Sequence, residues 1–325
     1  MHIPDGFLDA KTAVAAGVLA ATGLGVALRH AQHHLPPRRV PLLGLAAAFV
    51  FAAQMINFPV AGGTSGHLVG AVLVAVLLGP SAAVVVMSAV LVVQCLMFAD
   101  GGLSAIGANI LNMGLLGGAG GWAIYHGVSR TVKGLFGQVL AATFAAWCST
   151  VLAAVACAGE LATSRTVSWS VALPAMAGIH MLIGVGEGLI TALVLVAIAR
   201  TRPELVQPDP AIEARQTYGA VVAYGVLIAA GLALFASPLA SRWPDGLDRT
   251  AELLGFKERA TAPILAAPIP EYEMPGVQGS ALATSLAGVV GTLIVFVLAW
   301  WLARVLVPHR VRGEGRESDT TGQGP

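Results

Sequence analysis

The chain opens Met1-His2-Ile3-Pro4-Asp5-Gly6-Phe7, and its first two residues can by themselves close on a metal ion. A free α-amine, the amide nitrogen of His2 and the ring Nδ1 of His2 form fused five- and six-membered chelate rings. Three nitrogens held this way lie in a plane, and a planar or tetragonal nitrogen field suits Ni(II) or Cu(II). The bulk of His2 predicts that aminopeptidase leaves Met1 in place, with the amine where the chelate needs it. The bland alternative is a chance Met-His start. Donors elsewhere in the chain, and elements that could carry them to this one, decide between the two.

Composition sets the solvent in which those elements fold. The 325 residues are 56% hydrophobic and 11% charged, against about 25% charged for a water-soluble domain, so most of the chain must face lipid. Net charge is +1 and no basic cluster is long enough to suggest nucleic acid. Cys95, Cys148 and Cys157 each sit in an apolar run without a CxxC pair, which reads as buried thiols, not a disulfide framework or zinc knuckle. No basic n-region precedes the first apolar segment, so no cleaved signal peptide is expected.

Apolar stretches able to cross or partly cross a bilayer fall near 12–28, 40–56, 67–78, 81–98, 103–128, 135–158, 174–199, 216–236 and 281–304. The expected fold is an all-α polytopic protein of the cell membrane. About seven spans lie in a domain over 1–200 and two in a domain over 216–310. A polar, proline-rich stretch at 201–215 links them on the cytoplasmic side, and 311–325 reads as a disordered cytoplasmic tail. The short third stretch meets the fourth at Gly79-Pro80, which predicts an interrupted pair. A segment at 237–279, rich in proline and with little helical periodicity, lies between the last two spans. Twelve of the eighteen Lys and Arg fall on the connections that would be inside if residue 1 is outside. Four of the other six sit in the long 237–279 loop, and long loops translocate largely regardless of charge. The N-terminus is therefore expected outside.

Polar groups at membrane depth are costly and usually face a cavity, a partner or a pathway. His67 opens the third stretch after Ala61-Gly62-Gly63-Thr64-Ser65-Gly66, and Asn57 closes the second. Residues 57–66 are too polar to face lipid, which predicts a re-entrant loop folded beneath the N-terminal residues. From spacing, His67 is either a fourth nitrogen donor or a satisfied structural histidine. Asp100, Asn109 and Asn112 surround the fifth stretch. His180 and Glu187 share a face of the seventh. For Asp100, His180 and Glu187, hydrogen bonding between helices is the simpler role. Ala13, Gly17, Ala21 and Gly25 recur four apart on the first span, a spacing that lets helix backbones approach within the protein.

Four of these stretches carry a resemblance. MHIPDGFL, GGTSGHLVG, FADGGLSAIGANILNMG and PAMAGIHMLIGVGEGLITALV occur in the order found in the substrate-binding membrane component of energy-coupling-factor nickel/cobalt transporters. Residues 237–279 resemble that system's small accessory subunit, whose Pro-Asp-Gly-Leu-Glu motif reads Pro244-Asp245-Gly246-Leu247-Asp248 here. The resemblance implies a fusion of the two components. It also implies a near-square-planar site made by the Met1 amine, the His2 amide and ring, and the His67 ring, with Asn57 and Ser65 in the loop that shapes it. The Pro4-Asp5 opening looks more like nickel than cobalt members. The implied partners are a transmembrane coupling subunit and two ATP-binding cassette ATPases, with the lipid bilayer around them.

The function expected is thus capture of Ni(II) or Co(II) as transported substrate, cobalt uptake for cobalamin synthesis being the alternative cargo. Without a Gly-x-x-x-x-Gly-Lys-[Ser/Thr] loop, the chain cannot cradle ATP phosphates in the usual way and the energy must come from partners. An intramembrane metal-dependent hydrolase would want a motif such as His-Glu-x-x-His and an open metal position. A passive channel or secondary carrier would more often show an inverted repeat. Neither signature is present, so an enzyme is not expected. Because ligands must lose their protons, binding is expected to weaken as pH falls through the histidine range near 6.5. The acidic loop, with Met274 its only sulfur and no histidine, reads as a cover over the chelate, not a second site.

Overall fold

Asp9 starts the first helix by accepting a hydrogen bond from the Thr12 amide at 2.8 Å, a side-chain cap for one of the amides the first turn leaves unpaired. In the computed structural model, which describes residues 1–207 and 217–307, this helix, α1, runs Ala10–His34. Helix α2 follows at Val40–Gln54. It is apolar on every face and buried nearly all round, as a helix at the centre of a bundle must be. Residues 57–66, expected to be irregular, form a small antiparallel hairpin of β1 (Phe58–Val60) and β2 (Thr64–Gly66). The hairpin pairs backbone groups that would otherwise be buried unpaired.

The predicted interruption falls at Gly79. Helix α3 (Ala71–Leu78) ends there and α4 (Pro80–Phe98) begins with proline at its first position, where its missing N–H costs nothing. Gly79 turns the chain with φ +93°, a conformation that side chains rarely adopt. The fifth stretch is one bent rod: α5 (Ile106–Asn109), a wide π-helical segment over Ile110–Gly120, and α6 (Gly121–Ser129). Long helices α7 (Gly134–Thr163) and α8 (Trp169–Thr201) pack along each other. A single turn at Pro203–Val206 follows, and α9 (Gly219–Gly231) continues as a π-helical turn to Ala236.

The 237–279 segment is not without helix. Asp245 caps α10 (Gly246–Leu254) through the Asp248 amide at 2.8 Å. The chain returns along α11 (Ser280–Leu306), packed on α2. Six of the helical runs among the described residues are long and apolar enough to cross a membrane: α1, α4, α7, α8, α9 with its extension, and α11. The protein is a multi-pass helical membrane protein. Most of the 201–215 linker and all of the 311–325 tail lie outside the described residues. The buried face of α1 is Ala16, Ala20, Ala27 and Ala31, one step round from the expected stripe. Within that stripe Gly17 abuts Gly107 of α5, while Ala21 is exposed.

Candidate metal centre

The first residues are threaded into the bundle by hydrogen bonds at every turn. Asn109 reads the backbone of Ile3 on both sides, accepting from its N–H at 2.8 Å and donating to its carbonyl at 3.2 Å. The Gly102 amide donates to the same carbonyl at 2.8 Å, and a Cβ at Gly102 would run into Pro4 and Asp5. Asp5 then turns its carboxylate to the Ser104 amide and hydroxyl at 2.8 and 2.6 Å. Met1, Ile3 and Phe7 are buried. Asn109 and Gly102, beside the start of the fifth stretch, thus fix the N-terminus.

His67 is positioned from the other side. It sits between β2 and α3, in the turn that leads into α3. Glu187 of α8 accepts the amides of Val69 and Gly70 at 2.6 and 2.9 Å, tying that turn to the neighbouring helix. Gln54, the last residue of α2, donates to the Val69 carbonyl at 2.9 Å. The His67 Nδ1 faces the Leu68 carbonyl at 3.2 Å. A carbonyl only accepts, so Nδ1 carries the hydrogen and Nε2 the lone pair.

The two segments meet. The Met1 amine lies 3.5 Å from His67 Nε2, and the rings of His2 and His67 stack with centroids 5.5 Å apart and planes 22° from parallel. His2 Nε2 approaches Gln94 Oε1 at 3.1 Å, and its Nδ1 lies 3.1 Å from Asp100 Oδ1. Of the other residues singled out from sequence, Asn57 lines the adjoining cavity and its carbonyl accepts from the Ser241 amide at 2.8 Å. The Ser65 hydroxyl turns to the Trp243 carbonyl at 2.7 Å, so it holds the loop over the site. His180 is buried with Nδ1 on the Met176 carbonyl at 2.7 Å. A Cβ at Gly246 would press on its ring, 2.7 Å from Cε1, so only glycine lets α10 start there.

Sequence reasoning did not place Asp245 at the centre. Its carboxylate forms an ion pair with the Met1 amine, 244 positions away in the chain. The same loop donates the Thr261 amide to the Asp5 carbonyl at 2.9 Å, and the Tyr272 hydroxyl to Asp100 Oδ2 at 2.6 Å. Tyr272 itself stacks on Phe98, centroids 4.6 Å apart. His2 and His67 open onto a cavity of about 600 Å³ also lined by Asn57, Asp100, Asp245 and Asp248, among others. Burial works against charge on the Met1 amine, but the Asp245 carboxylate outweighs it and raises its pKa above the ordinary 8.0. Burial first, and then the ammonium beside it, hold the His67 ring neutral, its pKa lowered to about 3. Burial lowers His2 as well. Three nitrogen-bearing groups thus converge with only one of them charged.

These features define a class: a helical membrane protein that packs its own N-terminus against a histidine loop at the edge of a polar cavity. Residues 2–205 match the family described as the cobalt uptake substrate-specific transmembrane region, and residues 219–308 match the PDGLE domain. A chain of Archaeoglobus fulgidus that carries the provisional name of a fused nickel transport protein is 37% identical over 94% of this chain and 98% of its own. The fused nickel transport protein of Rhodobacter capsulatus is 32% identical, covering 91% of this chain and 95% of its own length. The cobalt transport protein CbiM of Geobacter sulfurreducens is 30% identical over 77% and 76% of the two. A crystal structure of a transition metal transporter superimposes with a TM-score of 0.58 at 31% identity, over 66% of this chain and all of that one. The chain belongs to the family of cobalt-uptake substrate-specific transmembrane regions, components of nickel and cobalt transport, and carries a PDGLE domain after it.

Proposed function

We propose that the chain captures Ni(II) at the outer face of the membrane as the substrate-binding component of an ATP-driven energy-coupling-factor importer. The donors in this reading are the Met1 amine, the His2 amide nitrogen, His2 Nδ1 and His67 Nε2. A coupling membrane subunit and two ATP-binding cassette ATPases drive delivery inward. The observation that carries the reading is the 3.5 Å approach of the buried amine to His67 Nε2. Adjacent corners of a square with metal–nitrogen bonds of about 2.0 Å lie about 2.8 Å apart, so a small inward movement closes the plane. In that plane His67 takes the corner opposite the His2 amide.

The 237–279 segment serves as a cover, seated through Ser65 and Thr64 on the Trp243 and Pro244 carbonyls. Nickel is favoured over cobalt because the two fused relatives, which span both parts of this chain, are named for nickel. Co(II) stays as the alternative cargo, as the name of the Geobacter relative suggests. A hydrolase is disfavoured, since four nitrogens in a plane leave no in-plane position for an attacking water, and Glu187 is committed to two backbone amides.

The test is two glycines added before Met1, since a single one would let its own amine, two amides and His2 Nδ1 close a new planar chelate. The extension moves the amine out of the five-membered ring, and high-affinity nickel binding by purified protein should disappear. Wild-type affinity in the extended chain would overturn the donor set. Nickel and cobalt offered together to the unextended chain, followed by metal analysis, decides the cargo.

A further inference from the structure

His2 Nε2 is the first link of a chain of buried side chains that ends on the loop carrying His67. It faces Gln94 Oε1 at 3.1 Å. Gln94 Nε2 donates to Gln54 Oε1 at 2.8 Å, and Gln54 Nε2 donates to the Val69 carbonyl at 2.9 Å. Gln54 is 5% exposed and Gln94 0%, so water is not at hand to substitute for a missing partner.

The direction of this chain is forced from its far end. The Val69 carbonyl can only accept, so Gln54 must turn its NH₂ toward it and its oxygen toward Gln94. Gln94 then spends an N–H on that oxygen and offers its own oxygen to His2. Flipping either amide would set two acceptors or two donors against each other in a buried place, which is costly. An oxygen facing His2 Nε2 calls for a hydrogen there. Asp100 Oδ1, 3.1 Å from Nδ1, competes for it from the other side. Asp100 is 29% exposed, however, and water can satisfy it, whereas nothing can replace the hydrogen at the fully buried Gln94.

We propose that Gln54 and Gln94 are positioning residues that hold the hydrogen of His2 on Nε2, so that Nδ1 is the nitrogen presented to the metal. This rests on the donor set proposed above. In it, only Nδ1 can close the six-membered ring with the His2 amide, so the tautomer with the hydrogen on Nδ1 cannot chelate. The relay also does for His2 what the Leu68 carbonyl does for His67, and it anchors His2 to Val69, two residues beyond the other ring. Ligating histidines generally need such a partner on the nitrogen that does not bind, and its loss costs about 10–100-fold in metal affinity.

Gln94→Met keeps length and bulk but removes the strong acceptor; Gln94→Glu keeps an acceptor and loses the donor to Gln54. The measurements are made on the full chain in detergent. Ring ¹⁵N shifts are recorded for metal-free, ¹⁵N-histidine-labelled protein at pH 8, with the His2 pair assigned by its disappearance in His2→Ala. Nickel affinity is measured by calorimetry. The expected result is a single Nε2–H tautomer in wild type, a mixture in Gln94→Met with affinity about 10–100-fold weaker, and a smaller loss in Gln94→Glu. A wild-type His2 protonated on Nδ1 alone, or Gln94→Met binding nickel as wild type does, would overturn the relay. Should Gln94→Met not fold, the wild-type shifts decide. Because the shifts are read without metal, they stand even if the glycine extension shows the donor set to be wrong.

Discussion

The nitrogen donors and the carboxylates beside them are held in opposite ways. Ile3, His2 and His67 each have a neutral partner from within the first 200 residues, Asn109 on the Ile3 backbone, Gln94 on His2 and the Leu68 carbonyl on His67, while carboxylates face the Met1 amine and His2 Nδ1. The carboxylates are partly open to solvent, with Asp245 at 21% and Asp100 at 29% side-chain exposure. They are supplied or braced by the accessory segment, Asp245 directly and Asp100 through Tyr272. A neutral network can hold donors unchanged whether or not a dication is present. A charged partner does so only where the net charge it faces stays the same, because its energy follows the charge of whatever it touches. The difference teaches where selectivity and where access should reside: donor geometry in the first domain, charge balance in the second.

Removing donors is the severest way to break that division. His2→Ala deletes a ring donor and leaves the chelate open, and should weaken nickel binding by well over about 100-fold, beyond the loss of a mere supporting partner. His67→Ala removes one corner that a water can fill, and should cost about 10–100-fold. Calorimetry on both purified variants checks the order. An equal or reversed order would mean that His67, not the N-terminal chelate, dominates the site.

pH sharpens the comparison next, because the protons to be displaced lie on the amine and the amide. With His67 held neutral down to about 3 and burial lowering His2, the step that ordinary histidines would place near 6.5 moves to lower pH. The Met1 ammonium, whose pKa is raised above 8.0 by Asp245 against the effect of burial, is the resting form at neutral pH. Binding releases its proton and that of the His2 amide. Apparent affinity should therefore rise about 100-fold per pH unit through neutrality and, once the amine has titrated above pH 8, about tenfold per unit, because the amide still loses its proton. Nickel titrations from pH 6 to 9 read the slope. A slope of only about tenfold per unit already between pH 6 and 7 would show that the amine is not a donor.

Much of this was legible in the sequence, for particular reasons. Met-His at the start and Gly-rich residues before His67 pointed to the groups that the structure brings together, since chelation and close backbone approach are local properties. The break at Gly79-Pro80 was readable because proline and positive φ are local too. The hairpin at 58–66 was not, since three-residue strands are too short to show alternation. Helix α10 was hidden in a proline-rich stretch, although Asp245 three residues before Asp248 was a cap signal. The ion pair between Met1 and Asp245 and the relay through Gln54 and Gln94 join residues far apart in the chain. Gln54 and Gln94 sit in apolar spans, and only the packing of α2 against α4 reveals that they face each other.

The smallest effect should come from the contact that looks most central, Asp245 on the Met1 amine. Burial opposes ionisation of Asp245, but the ammonium outweighs it and holds the carboxylate below the usual range, so it is charged at every working pH. Before binding, the donor cluster carries one positive charge, on the ammonium. After binding it again carries one: two from Ni(II), less one for the deprotonated His2 amide. Asp245 therefore sees the same charge in both states and cannot favour either strongly through Coulomb attraction. Asp245→Asn should shift nickel affinity only a few-fold, about 1 kcal/mol or less, while lowering the thermal stability of the metal-free chain, because a buried ammonium loses its partner. Calorimetry and melting of the same variant separate the two effects. An affinity loss beyond about 30-fold, near 2 kcal/mol, would mean that the Asp245 carboxylate reaches the metal itself and that the second domain contributes a ligand.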